Sequence, residues 1–416
     1  MVAPICGNRR NLRITLLPVV AGETPALPVD NERARRPRSG KQGTYDMADP
    51  AKMQALPPTG LDVRQFGAKG DGKTDDTAAF VAALAAAAPQ RGTVFVPDGI
   101  YRVGTIKLPT HTGLVGNASW GYREGGGSVL QLADPAAKCL IDITAAVGAT
   151  VNGLSLDGGQ LGTDVHGIYL GPFENKKEED TPRIERCHIS RFTGDGIRLD
   201  PVWCFSVRSC EVIFNKGNGL CIRGWDGFIL DNWFSGNGAA GFGAYGPSAS
   251  NTLTGNRIEW NAGGGIRICG GSHYNITGNY IDRAGCGGIV LLPRENSPCF
   301  CLTITGNVIY RSGRPEWVKE DFDSAHLRFE EVHGLVCTGN SLCAGQDDGG
   351  GKFSPRYGII LRALKNSIVK DNVLHIGALQ ELVRDLGGHG EGVIIKDNVG
   401  SLFQDVGKSL WASGQV

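Results

Sequence analysis

Two short phrases in this chain, Ile258-Glu259-Trp260 and Ile281-Asp282-Arg283, place an acidic residue behind the same apolar neighbour, 23 residues apart. If successive segments stack in register, the isoleucines turn inward. Glu259 and Asp282 then turn outward in one column, on strands about 4.8 Å apart. Two carboxyls at that separation match the spacing of about 5–5.5 Å used by retaining glycosidases. Repulsion between them raises one pKa, so that one group serves as acid and the other as ionised nucleophile or stabiliser. Trp260 is placed to stack on a sugar ring, and Arg283 to bind an anionic sugar or keep a carboxylate ionised. The competing reading is a solvated acidic strand that Arg283 merely screens.

A second set follows the same logic. Asp200, Arg223 and Tyr245 each lie four residues after a strand glycine (Gly196, Gly219 and Gly241), so they form a column of their own. Trp225, Asp226, His273, Arg294 and Glu295 occupy the loops just beyond. Aromatic, acidic and basic groups in one groove suit a saccharide, although turns of a repeat protein are polar in any case. Whether the two sets share a face is left open by the spacing.

Both columns presuppose a repeat, and the chain supplies one. Gly followed by an alternating apolar strand recurs at Gly167, Gly196, Gly219, Gly265, Gly288 and Gly358. Gly or Asp followed by Asn recurs at Asn232, Asn256, Asn279, Asn307, Asn340, Asn372 and Asn398, the first intervals being 24 and 23 residues. That period is too short for a βαβ unit of about 30 residues and fits one coil of three short strands. Glycine and asparagine are expected in the turns because both tolerate positive φ, with the asparagines able to ladder from coil to coil. The fold class is therefore all-β, a parallel β-helix. The stretches Arg311 to Phe329 and Gln346 to Pro355 break the rhythm and are candidate substrate or subunit contacts.

Composition agrees. Glycine is 62 of 416 residues, about 15% against an ordinary usage of about 7%, without a Gly-X-Y period. Forty-two basic residues balance 42 acidic ones, which argues against a nucleic-acid partner. No run of about 18 apolar residues predicts a membrane span. The twelve cysteines form no Cys-x-x-Cys pair and the histidines no metal spacing, so neither a metal nor a cofactor is expected. Cys187 and Cys210 are 23 residues apart and read as reduced, small apolar residues stacked near the core. Residues 1–58, proline-bearing and with a basic run at Arg33–Arg38, read as a leader or disordered segment without a convincing signal peptide. The expected domain is then 59–410, capped by 59–105. A soluble protein, cytoplasmic or virion-associated rather than secreted, is the expectation.

From Leu61 the chain becomes regular. Asp62–Asp76, containing Phe66-Gly67-Ala68-Lys69-Gly70-Asp71-Gly72-Lys73-Thr74-Asp75-Asp76, reads as strand and glycine-rich turn. Thr74 or Asp75 then caps a helix through Ala88 with a stripe of Phe80, Val81 and Leu84. Thr93–Val96 and Gly99–Tyr101 read as strand, Asp-Gly turn, strand. This segment, to Val103, resembles the N-terminal signature of the pectate-lyase-like superfamily, in which a strand, such a phrase and a capping helix open a right-handed parallel β-helix. The resemblance implies an extended carbohydrate substrate and an activity among polygalacturonase-like hydrolases, polysaccharide lyases, mannuronan epimerases and tailspike depolymerases. It also implies a homotrimer as one assembly to consider, since several such proteins place sites between subunits.

Subfamily motifs divide the options. Gly388-His389-Gly390 and Ile394-Ile395-Lys396 resemble polygalacturonase fragments, but Asn-Thr-Asp is missing and Asp347-Asp348 lies some 40 residues earlier. Gly194-Asp195-Gly196-Ile197-Arg198-Leu199-Asp200-Pro201-Val202 is similar to the Gly-x-Gly-Phe-Asp-Pro-His of epimerases and related lyases, with Val202 replacing the histidine. The leading expectation is a glycoside hydrolase using Glu259 and Asp282. The alternative is a uronate lyase or epimerase centred on Asp200, with Tyr245 or His273 as base and Arg223 or Arg198 as neutraliser. A non-catalytic glycan-binding solenoid is the third.

Overall fold

The computed structural model describes residues 60–173, 178–295, 297–314, 320–345 and 354–403. The expected leader, 1–58, therefore lies outside the described residues, as do Asp347 and Asp348. From Leu61 to Leu402 the chain winds as a parallel β-helix with three strands per coil. One coil shows the plan: Leu220–Trp225 on a first face, Phe228–Leu230 on a second and Trp233–Ser235 on a third. Strands of the first two faces join in a 26-stranded sheet, and those of the third form a 14-stranded sheet.

Register explains the stacking. On the first face Ile168, Ile197, Leu220, Phe242, Ile266 and Ile289 succeed one another inward. On the third, Ile189, Val212, Phe234, Ile258 and Ile281 do the same. All eleven side chains are fully buried. Because side chains alternate across a strand, fixing these columns inside fixes their neighbours outside.

The turns follow expectation for the glycines that precede an asparagine and for the ladder, but not for the φ of the asparagines. The positive-φ position is the residue before each asparagine, among them Asp231, Gly255, Gly278 and Gly306. The asparagine itself is buried and forms the ladder. Asn232 donates its backbone and side-chain N–H groups to Asn256 Oδ1, each at 3.0 Å, and the pattern continues to Asn398. A second ladder, Asn215–Asn237–Asn261, runs beside the third face. The strand glycines are likewise not positive-φ residues. At Gly241 a Cβ would stand 2.4 Å from Ile258 Cγ2, so close packing demands glycine there.

At the N-terminal end α1 spans Thr77–Ala87 and buries Ala79, Phe80, Ala83, Leu84 and Ala87. It starts at Thr77, whose N–H donates to Asp75 Oδ1 at 2.9 Å, while Asp76 accepts from Lys69 N and Gly70 N and holds the glycine-rich turn. Val81, expected in the stripe, is 53% exposed. Thr93–Val96 and Gly99–Val103 sit in different sheets, so their Asp-Gly turn is a corner and not a hairpin. The off-rhythm stretch ends before Ala325–Glu330, a first-face strand with Leu327 and Phe329 in the core.

Candidate functional site

The second column is an open groove on the first face. Strand Ile197–Trp203 shifts register between Leu199 and Val202 against Leu220–Trp225, a bulge that re-aims Asp200 out of the ladder. Arg223 Nε donates to Asp200 Oδ1. Arg198 bridges backward, 3.7 Å from Asp200 and 2.9 Å from the buried Asp195. Asp195 in turn accepts from Asn218 N at 2.6 Å and Nδ2 at 2.8 Å. Tyr245 donates to Asn218 Oδ1 at 3.0 Å. Arg198, Asp200, Asn218, Arg223, Tyr245 and Arg294 line a cavity of about 430 Å³, with Asp195 buried behind it.

The electrostatics assign roles. Burial pushes the Tyr245 hydroxyl well above its ordinary range, so it remains a proton donor. Burial also pushes the Cys221 thiol on the groove floor up to about 12, leaving it neutral and unreactive. What remains is one partly exposed carboxylate among three guanidiniums, beside a protonated phenol. That set can bind a carboxylated sugar and move a proton at the carbon next to its carboxyl group.

The loop residues expected beside this column divide. Arg294 reaches the groove, with Glu295 3.5 Å from its guanidinium. Asp226 lies round the corner, accepting from Trp203 Nε1 at 2.6 Å and lining a separate cavity with Phe228. His273 is at that corner too, edge-on to Phe300 with ring centroids 5.3 Å apart. It does not line the groove, which removes it as the base.

The carboxylate pair is adjacent as expected: Glu259 and Asp282 are register partners on the third face. The expectation of an outward, accessible pair is corrected, because Glu259 is 4% exposed and Asp282 2%. Glu259 accepts from Trp233 Nε1 at 2.9 Å and Arg257 Nε at 3.0 Å. Asp282 accepts from Arg283 at 2.5 Å and from Arg311 Nε and Nη2 at 3.0 and 2.7 Å. Arg283 also lies 4.4 Å over the Trp260 ring. The side chains expected to hold a sugar hold each other. Desolvation raises the Asp282 pKa, against the pull of Arg311.

His389, from the polygalacturonase-like fragment, accepts from Leu364 N at 3.0 Å and lies 2.7 Å from Asp385, a local turn contact. Cys187 and Cys210 are buried neighbours, and no described cysteine is in a disulfide. Two groups escaped the sequence reading. Tyr169, the register partner of Arg198, receives a 2.6 Å hydrogen bond from Lys138 Nζ. Its position two residues after Gly167 was the available signal; Lys138 had none. Among the described residues no group of three or more His, Cys, Asp or Glu could hold a metal, and no helix is long and apolar enough to cross a membrane.

Comparisons with known proteins agree with this architecture. The family model for a right-handed β-helix region matches residues 166–314, and that for rhamnogalacturonase A/epimerase, pectate lyase-like, matches residues 61–133. Alginate lyase 7 of Azotobacter vinelandii is 33% identical over 154 residues, covering 32% of this chain and 17% of that protein. Mannuronan C5-epimerase AlgE5 of the same organism is 31% identical over 237 residues, 51% of this chain and 23% of that protein. The chain thus spans less than a quarter of either relative. Among solved structures, the Dettilon tailspike protein has a TM-score of 0.58 at 14% identity, over 83% of this chain and 68% of that one. A DFA-IIIase mutant from Arthrobacter chlorophenolicus A6 has 0.56 at 13%, over 84% and 100%. With its capping segment and its central coils each matched, the chain belongs to the pectate-lyase-like superfamily of right-handed parallel β-helices.

Proposed function

We propose that the chain is a carbohydrate-active enzyme that abstracts the proton beside the carboxyl group of a uronic-acid unit, acting as a polysaccharide lyase or epimerase. The observation that carries this reading is the contrast between the two carboxylate sites. The Asp200 groove is open and furnished with three guanidiniums and a phenol, whereas Glu259 and Asp282 are closed over and fully partnered. The names of the sequence relatives, an alginate lyase and mannuronan epimerases, support the same substrate class.

In this mechanism Arg223, Arg198 and Arg294 receive the substrate carboxylate and stabilise the charge that develops on it. Asp200 takes the C5 proton. Tyr245, held protonated, then either protonates the leaving glycosidic oxygen as the C4–O bond breaks, or returns a proton to the opposite face of C5. The first outcome leaves an unsaturated uronide and the second an epimer.

Mannuronan and polygalacturonate are the test substrates, followed by ultraviolet absorbance of unsaturated uronide and by NMR of C5 configuration. One of these signals is expected from the native protein. Asp200→Asn should lower it by about a hundredfold or more. New reducing ends without either signal would make the chain a hydrolase, and retained binding without turnover a glycan-binding solenoid. An Asp200→Asn protein as active as the native one sinks the reading.

A further inference from the structure

Around the corner from the groove, one register column carries aromatics that no step of the chemistry uses. Across successive coils it runs Trp203, Trp225, Ala249, Ser272, Phe300, His333. Trp203 is 42% and Phe300 41% exposed, and His333 is exposed as well. Isolated exposed aromatics need no explanation. Four of six positions in one column, two at each end of a saddle of small residues, form a pattern.

At about 4.8 Å per coil, Trp203 and Phe300 stand about 19 Å apart along the solenoid axis. Each is held at one edge by a neighbour: Trp203 by Asp226 at 2.6 Å and Phe300 by the His273 ring. Aromatic rings fixed this way offer apolar faces with polar groups at the rim, the arrangement that suits the apolar face of a pyranose. Between Trp225 and Phe300 the column holds only the small side chains of the half-buried Ala249 and the buried Ser272.

We infer that this column is a rail on which a polysaccharide chain lies along the solenoid axis, stacking on Trp203 and Trp225 at one end and on Phe300 and His333 at the other. The inference rests on the reading of the Asp200 groove for its ligand class. Asp200 and Trp203 share one strand, three residues or about 10 Å apart, so a polymer held on the rail is delivered to the groove. Asp226 and His273, expected from the sequence to touch substrate, find a place here as the residues that hold the rings.

Affinity electrophoresis in gels containing mannuronan tests the rail separately from the chemistry. The native protein should be retarded. The double variant Trp203→Ala/Phe300→Ala, with its thermal unfolding checked against the native protein, should bind the polymer at least about tenfold more weakly, while its affinity for a trisaccharide changes less than about twofold. Trp203→Phe/Phe300→Tyr should restore retardation, because stacking requires only a ring. Asp200→Asn should be retarded like the native protein. The rail is overturned if the double alanine variant is retarded normally, if the aromatic swaps fail to restore binding, if Asp200→Asn loses retardation equally, or if the native protein is not retarded. Failure of the groove reading shows elsewhere, as product formation that survives Asp200→Asn.

Discussion

Two sets of carboxylates on one scaffold have opposite fates, and the difference is what surrounds each oxygen. Asp200 stands beside guanidiniums at the wall of an open groove, so its loss should be felt in turnover. Asp282 is sealed between Arg283 and Arg311, and a buried pair that loses one partner leaves an uncompensated charge. Asp282→Asn is therefore expected to lower unfolding free energy by about 3–5 kcal/mol, read by urea denaturation, with turnover per folded molecule unchanged. Glu259→Gln should cost only about 1 kcal/mol. Its amide oxygen still accepts from Trp233, and the Arg257 it releases is largely exposed. If the order of the two costs is reversed, the account of this cluster as a structural ion network is wrong. The register that paired Glu259 with Asp282 was legible in the sequence. Their burial was not, because Arg311 arrives from the next coil, where the repeat begins to lose its rhythm.

At the scale of strands and turns, the repeat announced itself through glycine and asparagine; the asparagines ladder and the glycines before them take positive φ as expected, whereas the asparagines themselves do not, and the strand glycines answer to close packing. Gly278 precedes a ladder asparagine, has φ +66° and would meet nothing within 4 Å if it gained a Cβ. Gly278→Ala should cost only about 1 kcal/mol, the strain of that backbone conformation. Gly241 has an ordinary φ, but its Cβ would press on Ile258 and on Asn261 of the second ladder. Gly241→Ala should cost more than Gly278→Ala, by about 1–3 kcal/mol of overpacking. Paired thermal melts decide the order, and equal costs would mean that the strand glycines are turn residues after all. Spacing alone identified both sets as recurrent. It could not separate conformational need from close contact, since that depends on which side chain the neighbouring face presents. The bulge at Asp200 and Pro201 was hidden for the same reason: strand periodicity predicts where a ladder runs but not where it slips. The Asp200–Arg223–Tyr245 column was nonetheless readable, because four-residue offsets from consecutive strand glycines survive a local slip.

Over the whole molecule, burial reaches beyond the apolar columns to side chains on the covered outer side of the third face, and a titratable group closed over there makes the stability of the fold depend on pH. Glu211 and His188 are register partners on the third face, both buried, with Glu211 Oε2 3.7 Å from His188 Nε2. Burial raises the Glu211 pKa from 4.5 to about 7 and lowers that of His188 from 6.5 to about 4. His326, also buried, is lowered to about 3. The signs follow from proton linkage. The two histidines bind protons more weakly folded than unfolded, so their contribution is present above about 6.5 and is lost as pH falls through 4 and 3. Glu211 binds its proton more tightly folded, so its contribution is full below about 4.5 and disappears as pH rises through 7. The native protein therefore carries opposing slopes between these limits. Glu211→Gln removes one of them, and the neutral amide imitates the protonated acid. Melting temperatures measured from pH 4 to pH 8 should coincide with the native values at the acid end and rise above them at pH 8, by up to about 3 kcal/mol of unfolding free energy. A gain of equal size at both ends would show that the substitution improves packing alone, and that Glu211 is not held protonated by its burial.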